Sequence, residues 1–191
     1  MKKRAGNFIV VFSLIFLTFI ALEACSKKPI PAQQANTAMI DPSSDLKKYS
    51  LTTRELPDLD LVFESKLGKD KIGPNAVSGY AAGFRNNVQD PDSLSYKSLS
   101  INLQAYNSAE DVKKDFSRDM LPKGILKSFH ELSLQRPIGD ESFAYFGGSA
   151  EQRKIHVLYR LENFVVRLNS VGIGTNSTIR YARLMESKLK K

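Results

Sequence analysis

Two periodicities divide the chain. Along Lys97 to Tyr106, Leu99, Ile101, Leu103 and Ala105 alternate with Ser98, Ser100, Asn102 and Gln104. Successive strand residues point to opposite faces, so this pattern predicts a strand with one buried and one wet face, the signature of antiparallel sheet. Lys154 to Leu161 and Phe164 to Val171 read as two more strands. Only Glu162 and Asn163 separate them, which predicts a tight hairpin with Asn163 at positive φ. Ser78 to Asn86 is a strand with Tyr80, Ala82 and Phe84 on one side, because Gly79 and Gly83 would each cost a helix about 1 kcal/mol against Ala. Shorter strands are expected at Leu59 to Phe63 (Leu59, Leu61 and Phe63 inward), Ser128 to Gln135 and Ser142 to Phe146. The helical period occurs twice. Ser108 caps a helix with Glu110 and Asp111 in its first turn, Ala109, Val112, Phe116 and Met120 on one face, and Pro122 and Gly124 as its stop. A second helix, Ser177 to Lys190, turns Ile179, Ala182, Met185 and Leu189 inward and ends among Lys188, Lys190 and Lys191.

The order is strands then a helix, twice over. It predicts an α+β domain: an antiparallel sheet with two helices packed on one face, and a faint internal β…β-α duplication. This single domain spans residues 49–191, long enough to bury about two-thirds of its unfolded surface.

What precedes it differs in kind. Lys2, Lys3 and Arg4 lead into Phe8 to Leu22, an apolar run interrupted only by Ser13 and Thr18. The run is short for a spanning helix, which needs about 20 apolar residues, and fits the core of a secretory signal. Leu22-Glu23-Ala24-Cys25 follows, with Ser26-Lys27-Lys28-Pro29 beyond it. Leu three places before the Cys and a small residue directly before it resemble the lipobox of bacterial lipoproteins. That resemblance implies a signal peptide over residues 1–24, removed ahead of Cys25. It also implies lipidation of Cys25: a diacylglycerol on the thiol and an acyl chain such as palmitate on the freed amine. Glu23 departs from the small or apolar residue usual at its position. Several acyl chains together anchor stably, at about 0.8 kcal/mol per buried CH₂. Ser26, rather than Asp, in second place implies the outer membrane facing the periplasm in a Gram-negative cell, and otherwise the outer face of the cytoplasmic membrane. Residues 25–48 carry Pro29, Pro31 and Pro42 and few large apolar groups, and are expected to be a flexible tether.

Composition narrows the chemistry. The chain has 28 Lys+Arg against 20 Asp+Glu, a net charge of +8, one Cys and two His. A lone Cys forbids an intramolecular disulfide, and two isolated His argue against a His-rich metal site. Basic pairs at Lys113/Lys114, Lys123/Lys127, Arg153/Lys154, Arg160/Arg167 and Arg180/Arg183 are spread along the chain. Export excludes nucleic acid as a normal partner. The expected partners are membrane lipid through Cys25 and an envelope protein or anionic envelope polymer. No G-x-S-x-G, P-loop or metal-spaced ligand set occurs, so no catalytic, cofactor-binding or metal residues and no cofactor are expected. Asp140, Glu141 and His156 are the one acid/base group to weigh, with Asp140 expected to bond its own turn. Gly172-Ile173-Gly174-Thr175-Asn176-Ser177 leads into a helix N-terminus, which is expected to be a Ser- or Asn-capped turn.

Tyr80…Phe84, Ile101…Tyr106-Asn107-Ser108-Ala109-Glu110-Asp111, Ile138-Gly139-Asp140-Glu141-Ser142 and Val157…Arg160…Asn163-Phe164-Val165-Val166 resemble a loose group of uncharacterised exported bacterial α+β domains. The group implies the fold and no activity. The expectation is therefore a membrane-anchored cell-envelope lipoprotein with a non-enzymatic ligand- or partner-binding domain. The alternatives are an accessory lipoprotein of envelope assembly or maintenance and, third, an enzyme with an unrecognised site.

Overall fold

The structure, a computed structural model, describes residues 45–117, 120 and 128–191. Seven strands form one antiparallel sheet: β1 (Asp60–Lys66), β2 (Ala76–Arg85), β3 (Ser98–Tyr106), β4 (His130–Glu131), β5 (Glu141–Gly147), β6 (Lys154–Leu161) and β7 (Phe164–Val171). Their spatial order is β1-β2-β3-β7-β6-β5-β4. Helix α1 (Ala109–Asp115) follows β3, and α2 (Thr175–Leu189) follows β7. The α+β class, the antiparallel sheet and the two helices match the sequence reading. Among the described residues no helix is long and apolar enough to cross a membrane.

The placement of the helices differs from expectation. They lie on opposite faces of the sheet. Tyr80, Ala82, Phe84, Leu99, Ile101, Leu103, Val157, Tyr159, Phe164, Val166 and Leu168 face Tyr181, Ala182, Met185 and Leu189 of α2. Tyr106, Tyr145, Leu158 and Val165 emerge on the other face and pack on Val112 of α1 and on Phe116 directly after it. Each helix follows the last buried side chain of its connection. Tyr106 at the end of β3 points to the second face and draws α1 there, while Ile173 after β7 belongs to the first core and draws α2 to it. This also limits the expected duplication to the order of elements. A two-fold axis along the sheet normal would interchange the antiparallel strands β3 and β7, but it keeps each face on itself and so cannot carry α1 onto α2.

Other expectations are corrected locally. The packed domain starts earlier than residue 49: Asp45 caps a 3-10 turn, Leu46–Tyr49, whose Leu46 is only 4% exposed. A chain segment that buries a leucine in the main core is part of the domain and not tether. In β1 Leu61 and Phe63 are exposed, and a bulge between them breaks the alternation: Leu61 stays opposite Phe84, while Phe63 turns to the other face over Gly83. Helix α1 stops at Asp115, short of Met120, though Ser108 does cap it, accepting from Asp111 N–H at 3.1 Å. The strand expected at Ser128 to Gln135 shortens to two residues. In the β6–β7 turn it is Glu162, at φ 52°, that adopts the left-handed conformation, and not Asn163. Asn163 is buried and its Nδ2 donates to the Tyr106 carbonyl at 2.9 Å, tying the hairpin turn to the end of β3.

Candidate functional site

Cys25 and the rest of the signal lie outside the described residues, as do Lys123 and Lys127. The acid/base group that the sequence singled out can be placed. Asp140 and Glu141 both turn to Arg160: Nη1 to Asp140 Oδ2 is 3.4 Å, and Nε to Glu141 Oε2 is 3.1 Å. His156 lies elsewhere. In the β5–β6 ladder Glu141 pairs with Arg160, but His156 pairs with Tyr145, four residues further along both strands. At about 3.3 Å per residue that separates the two positions by roughly 13 Å. His130, on the edge strand β4, is exposed and packs its ring on Phe146. Among the described residues no three His, Cys, Asp or Glu side chains gather as a metal site would require.

Asp140 has a structural task, but a different one from that expected. Its carboxylate accepts from Glu162 N–H at 2.9 Å, across in the β6–β7 turn, rather than from its own turn. It thereby holds the left-handed Glu162. The whole Ile138–Ser142 segment is a knot of this kind. Ile138 is fully buried in the core, and its N–H donates to Ser142 Oγ at 3.1 Å. Gly139 sits at φ 67°, and a Cβ there would come within 2.2 Å of the Arg160 carbonyl oxygen, so the position admits only Gly. Gly139 N–H donates to Glu186 Oε1 of α2 at 3.1 Å. Burial works to raise the Glu186 pKa, but Lys190, the Gly139 N–H and Arg183 outweigh it and hold the carboxyl below its ordinary value. The Ile138–Ser142 segment is thus a clamp joining α2, a turn and a hairpin. Glu186 is the partner that sequence inspection missed, since it follows the motif by more than forty residues.

The second face of the sheet carries a polar row in its middle. Ser100, Asn169 and His156 stand side by side on β3, β7 and β6. Asn169 bridges them, with Oδ1 2.6 Å from His156 Nδ1 and Nδ2 donating to Ser100 Oγ at 3.3 Å. Burial first, and then Arg167 and Lys154, push the His156 pKa below its ordinary value against the opposing Asn169 bond, so the ring is neutral at pH 7. Arg167, one row along, donates to the Met120 carbonyl. Gln104 was expected to be wet. Instead it is buried, and its Oε1 accepts from Gly73 N–H at 2.9 Å.

The sequence loop at Gly172 leads into α2 as a strand-to-helix turn, but the N-cap is Gly174 and no side chain caps the helix. The start of α2 borders a cleft of 480 Å³ between the helix and residues 132–136. Leu132, Leu134 and Ile179 supply apolar wall, and Asn176, Gln135 and Arg136 supply polar groups. Arg183, at the same cleft, is already engaged: Nη1 donates to the Pro137 carbonyl at 2.8 Å, and Nη2 donates to that of Arg136. It fastens the cleft's outer wall to α2. The volume falls in the range of small-molecule sites, and the lining is mainly polar, with Ser133 and Thr175 beside Gln135, Arg136, Asn176 and Arg183. Many of the cations that sequence left open are paired, including Lys113 with Glu110, Lys188 with Glu55 and Lys190 with Glu186.

By architecture, then, the protein is an α+β domain built on one seven-stranded antiparallel sheet with a helix on each face. No protein-family model matches the chain, and no curated protein matches it. Its fold is similar to that of the extracellular domain of PknH from Mycobacterium tuberculosis, with a TM-score of 0.56 at 10% identity, over 78% of this chain and 97% of that one.

Proposed function

We propose that the chain is a cell-envelope lipoprotein, anchored through acyl chains on Cys25, whose α+β domain binds a ligand or partner and performs no reaction of its own. The observation that carries this reading is the position of the sole Cys, directly after Leu22-Glu23-Ala24 and the apolar run Phe8 to Leu22. A thiol is the nucleophile that thioether formation needs, and here it stands at the membrane-facing end of a signal. The fold supports the reading, since a solved structure of similar fold is an extracellular domain. The 480 Å³ cleft beside α2 is the proposed binding site. Ser26 supports a location on the outer membrane, facing the periplasm, in a Gram-negative host, and on the outer face of the cytoplasmic membrane otherwise. A second reading, an accessory lipoprotein of envelope assembly or maintenance, is favoured by the exposed Leu61, Val62 and Phe63 of β1, an apolar surface suited to protein contact.

The test is metabolic labelling with an alkyne fatty acid. The wild type should incorporate label and sediment with membranes. Cys25→Ser should lose the label and accumulate as the uncut precursor. Equal labelling of both proteins would sink the proposal.

A further inference from the structure

The strand β1 ends the sheet, and all seven of its residues are exposed. Val62 and Phe63 are 50% and 51% exposed. The unpaired edge of a sheet is a template for pairing with another chain; here Leu61, Val62 and Phe63 are apolar and Asp60, Glu64, Ser65 and Lys66 polar. The bulge between Leu61 and Phe63 interrupts the edge on one side, and Gly68 with the 3-10 turn Lys69–Lys71 ends it on the other. The regular stretch is therefore residues 63–67.

Its backbone parity can be read from the inner side. Leu67 N–H donates to the Gly79 carbonyl at 2.8 Å, toward β2. In an antiparallel ladder inward and outward residues alternate, so Phe63, Ser65 and Leu67 bond inward, and Glu64 and Lys66 present their N–H and C=O outward. The faces follow from the register. Glu64 and Lys66 oppose Ala82 and Tyr80 on the α2 face, and Glu64 accepts from Tyr80 Oη at 2.8 Å. Phe63 and Leu67 cover Gly83 and Gly79 on the other face; a Cβ at Gly83 would lie 2.1 Å from the Phe63 ring.

These constraints select one way for the edge to meet itself. Outward residues must pair with outward residues, and residues opposite each other share a face. Centring a two-fold axis on Glu64 opposes two glutamates, and centring it on Lys66 opposes two lysines. Centring it on Ser65 sets Glu64 against Lys66 of a second copy twice on one face, and Phe63 against Leu67 twice on the other. Lys66 has no carboxylate at ion-pair distance among the described residues, while Glu64 already holds Lys47 at 2.5 Å, so the junction gives Lys66 its first carboxylate and Glu64 a second cation.

We propose that β1 is an isologous interface: two copies of the chain join antiparallel through residues 63–67, with Ser65 on the two-fold axis, to make one continuous sheet. The outward groups of Glu64 and Lys66 form four backbone hydrogen bonds across the junction, the cross-strand pairs match in charge and apolarity, and the bulge falls outside the paired segment. This inference does not depend on lipidation.

Site-directed disulfide formation in the full chain tests it. Facing residues in a non-hydrogen-bonded antiparallel pair have Cα atoms about 4.5 Å apart, within disulfide reach. Ser65→Cys under mild oxidation should give a covalent dimer in which peptide mapping links position 65 to position 65, distinct from any link through Cys25. Asp60→Cys, on the same strand beyond the bulge, should not self-link. Sedimentation of the wild type in mild detergent should show a monomer–dimer equilibrium. Lys66→Glu, which sets carboxylates opposite each other at both pairs, should weaken it about tenfold or more. A constant monomer mass, equal linking from positions 60 and 65, or an unaltered equilibrium in Lys66→Glu would each overturn the proposal.

Discussion

Replacing Ile101 with Ala tests the register of the central strand. Ile101 is 2% exposed, with Ala82 of β2 on one side and Leu168 of β7 on the other. The substitution removes three carbon groups from the core under α2, a transfer loss of about 2.4 kcal/mol at 0.8 kcal/mol per group. The cavity left behind adds about 24 cal/mol per Å³ that neighbouring side chains fail to fill. Central strands relax little, because both flanking ladders hold the backbone. The sum is about 3–4.5 kcal/mol. For a domain of this size each kcal/mol shifts Tm by roughly 2–4 °C, so thermal unfolding followed by circular dichroism should fall by about 6–18 °C. The neighbouring position gives the contrast. Ser100 points to the other face and is partly exposed, and it accepts a single 3.3 Å hydrogen bond from Asn169, so Ser100→Ala should cost less than about 1 kcal/mol. Val62→Ala on the exposed edge should leave the monomer's Tm unchanged. If Ile101→Ala cost no more than Ser100→Ala, the assignment of faces on β3 and the core built on it would be wrong.

Three further outcomes follow from the structure. A chain beginning at Leu51, which lacks the buried Leu46 and Tyr49, should be about 2–4 kcal/mol less stable by urea titration than one beginning at Asp45; equal midpoints would return residues 45–50 to the tether. Asn163→Gly should cost about 1–3 kcal/mol in the same assay, because it strips a buried donor from the Tyr106 carbonyl; a neutral result would mean that Asn163 serves only the turn conformation. His156, whose pKa is lowered in the fold, stays neutral there while the unfolded chain protonates below about pH 6.5, so its contribution is complete above that pH and is lost as pH falls toward the folded value; the drop in Tm between pH 7.5 and 5.5 should be smaller in His156→Gln than in the wild type.

The likeness to an extracellular domain at 10% identity shows how little of this fold depends on particular side chains. What the chain does specify sharply is the clamp around Gly139, where Glu186, Asp140 and Ser142 each satisfy a backbone N–H of a turn. Those three bonds give Ile138-Gly139-Asp140-Glu141-Ser142 a structural task, the fastening of α2, a turn and a hairpin to one another.

Alternation by itself determined β2, β3, β6 and β7, because a strand buried on one face must place its apolar residues at period two, and the capping Ser108 marked the start of α1. The apolar run before Cys25 likewise stands in the sequence with no need of a fold. Tertiary structure decided the rest. Tyr145, Leu158 and Val165 are apolar residues on the face that alternation read as wet, and they are the trace of a second core that α1 covers. Read singly they are unremarkable, since one apolar residue on a polar face is common; only their alignment across β5, β6 and β7 makes a surface large enough to draw a helix. Glu162 took the left-handed turn position because Asn163 was claimed by the Tyr106 carbonyl, a contact 57 residues distant in the chain. The bulge in β1 put Phe63 over Gly83 on the second face, where local periodicity had placed it in the core. In each case the deciding contact joins residues far apart in the chain, and local pattern carries no information about which distant backbone will arrive.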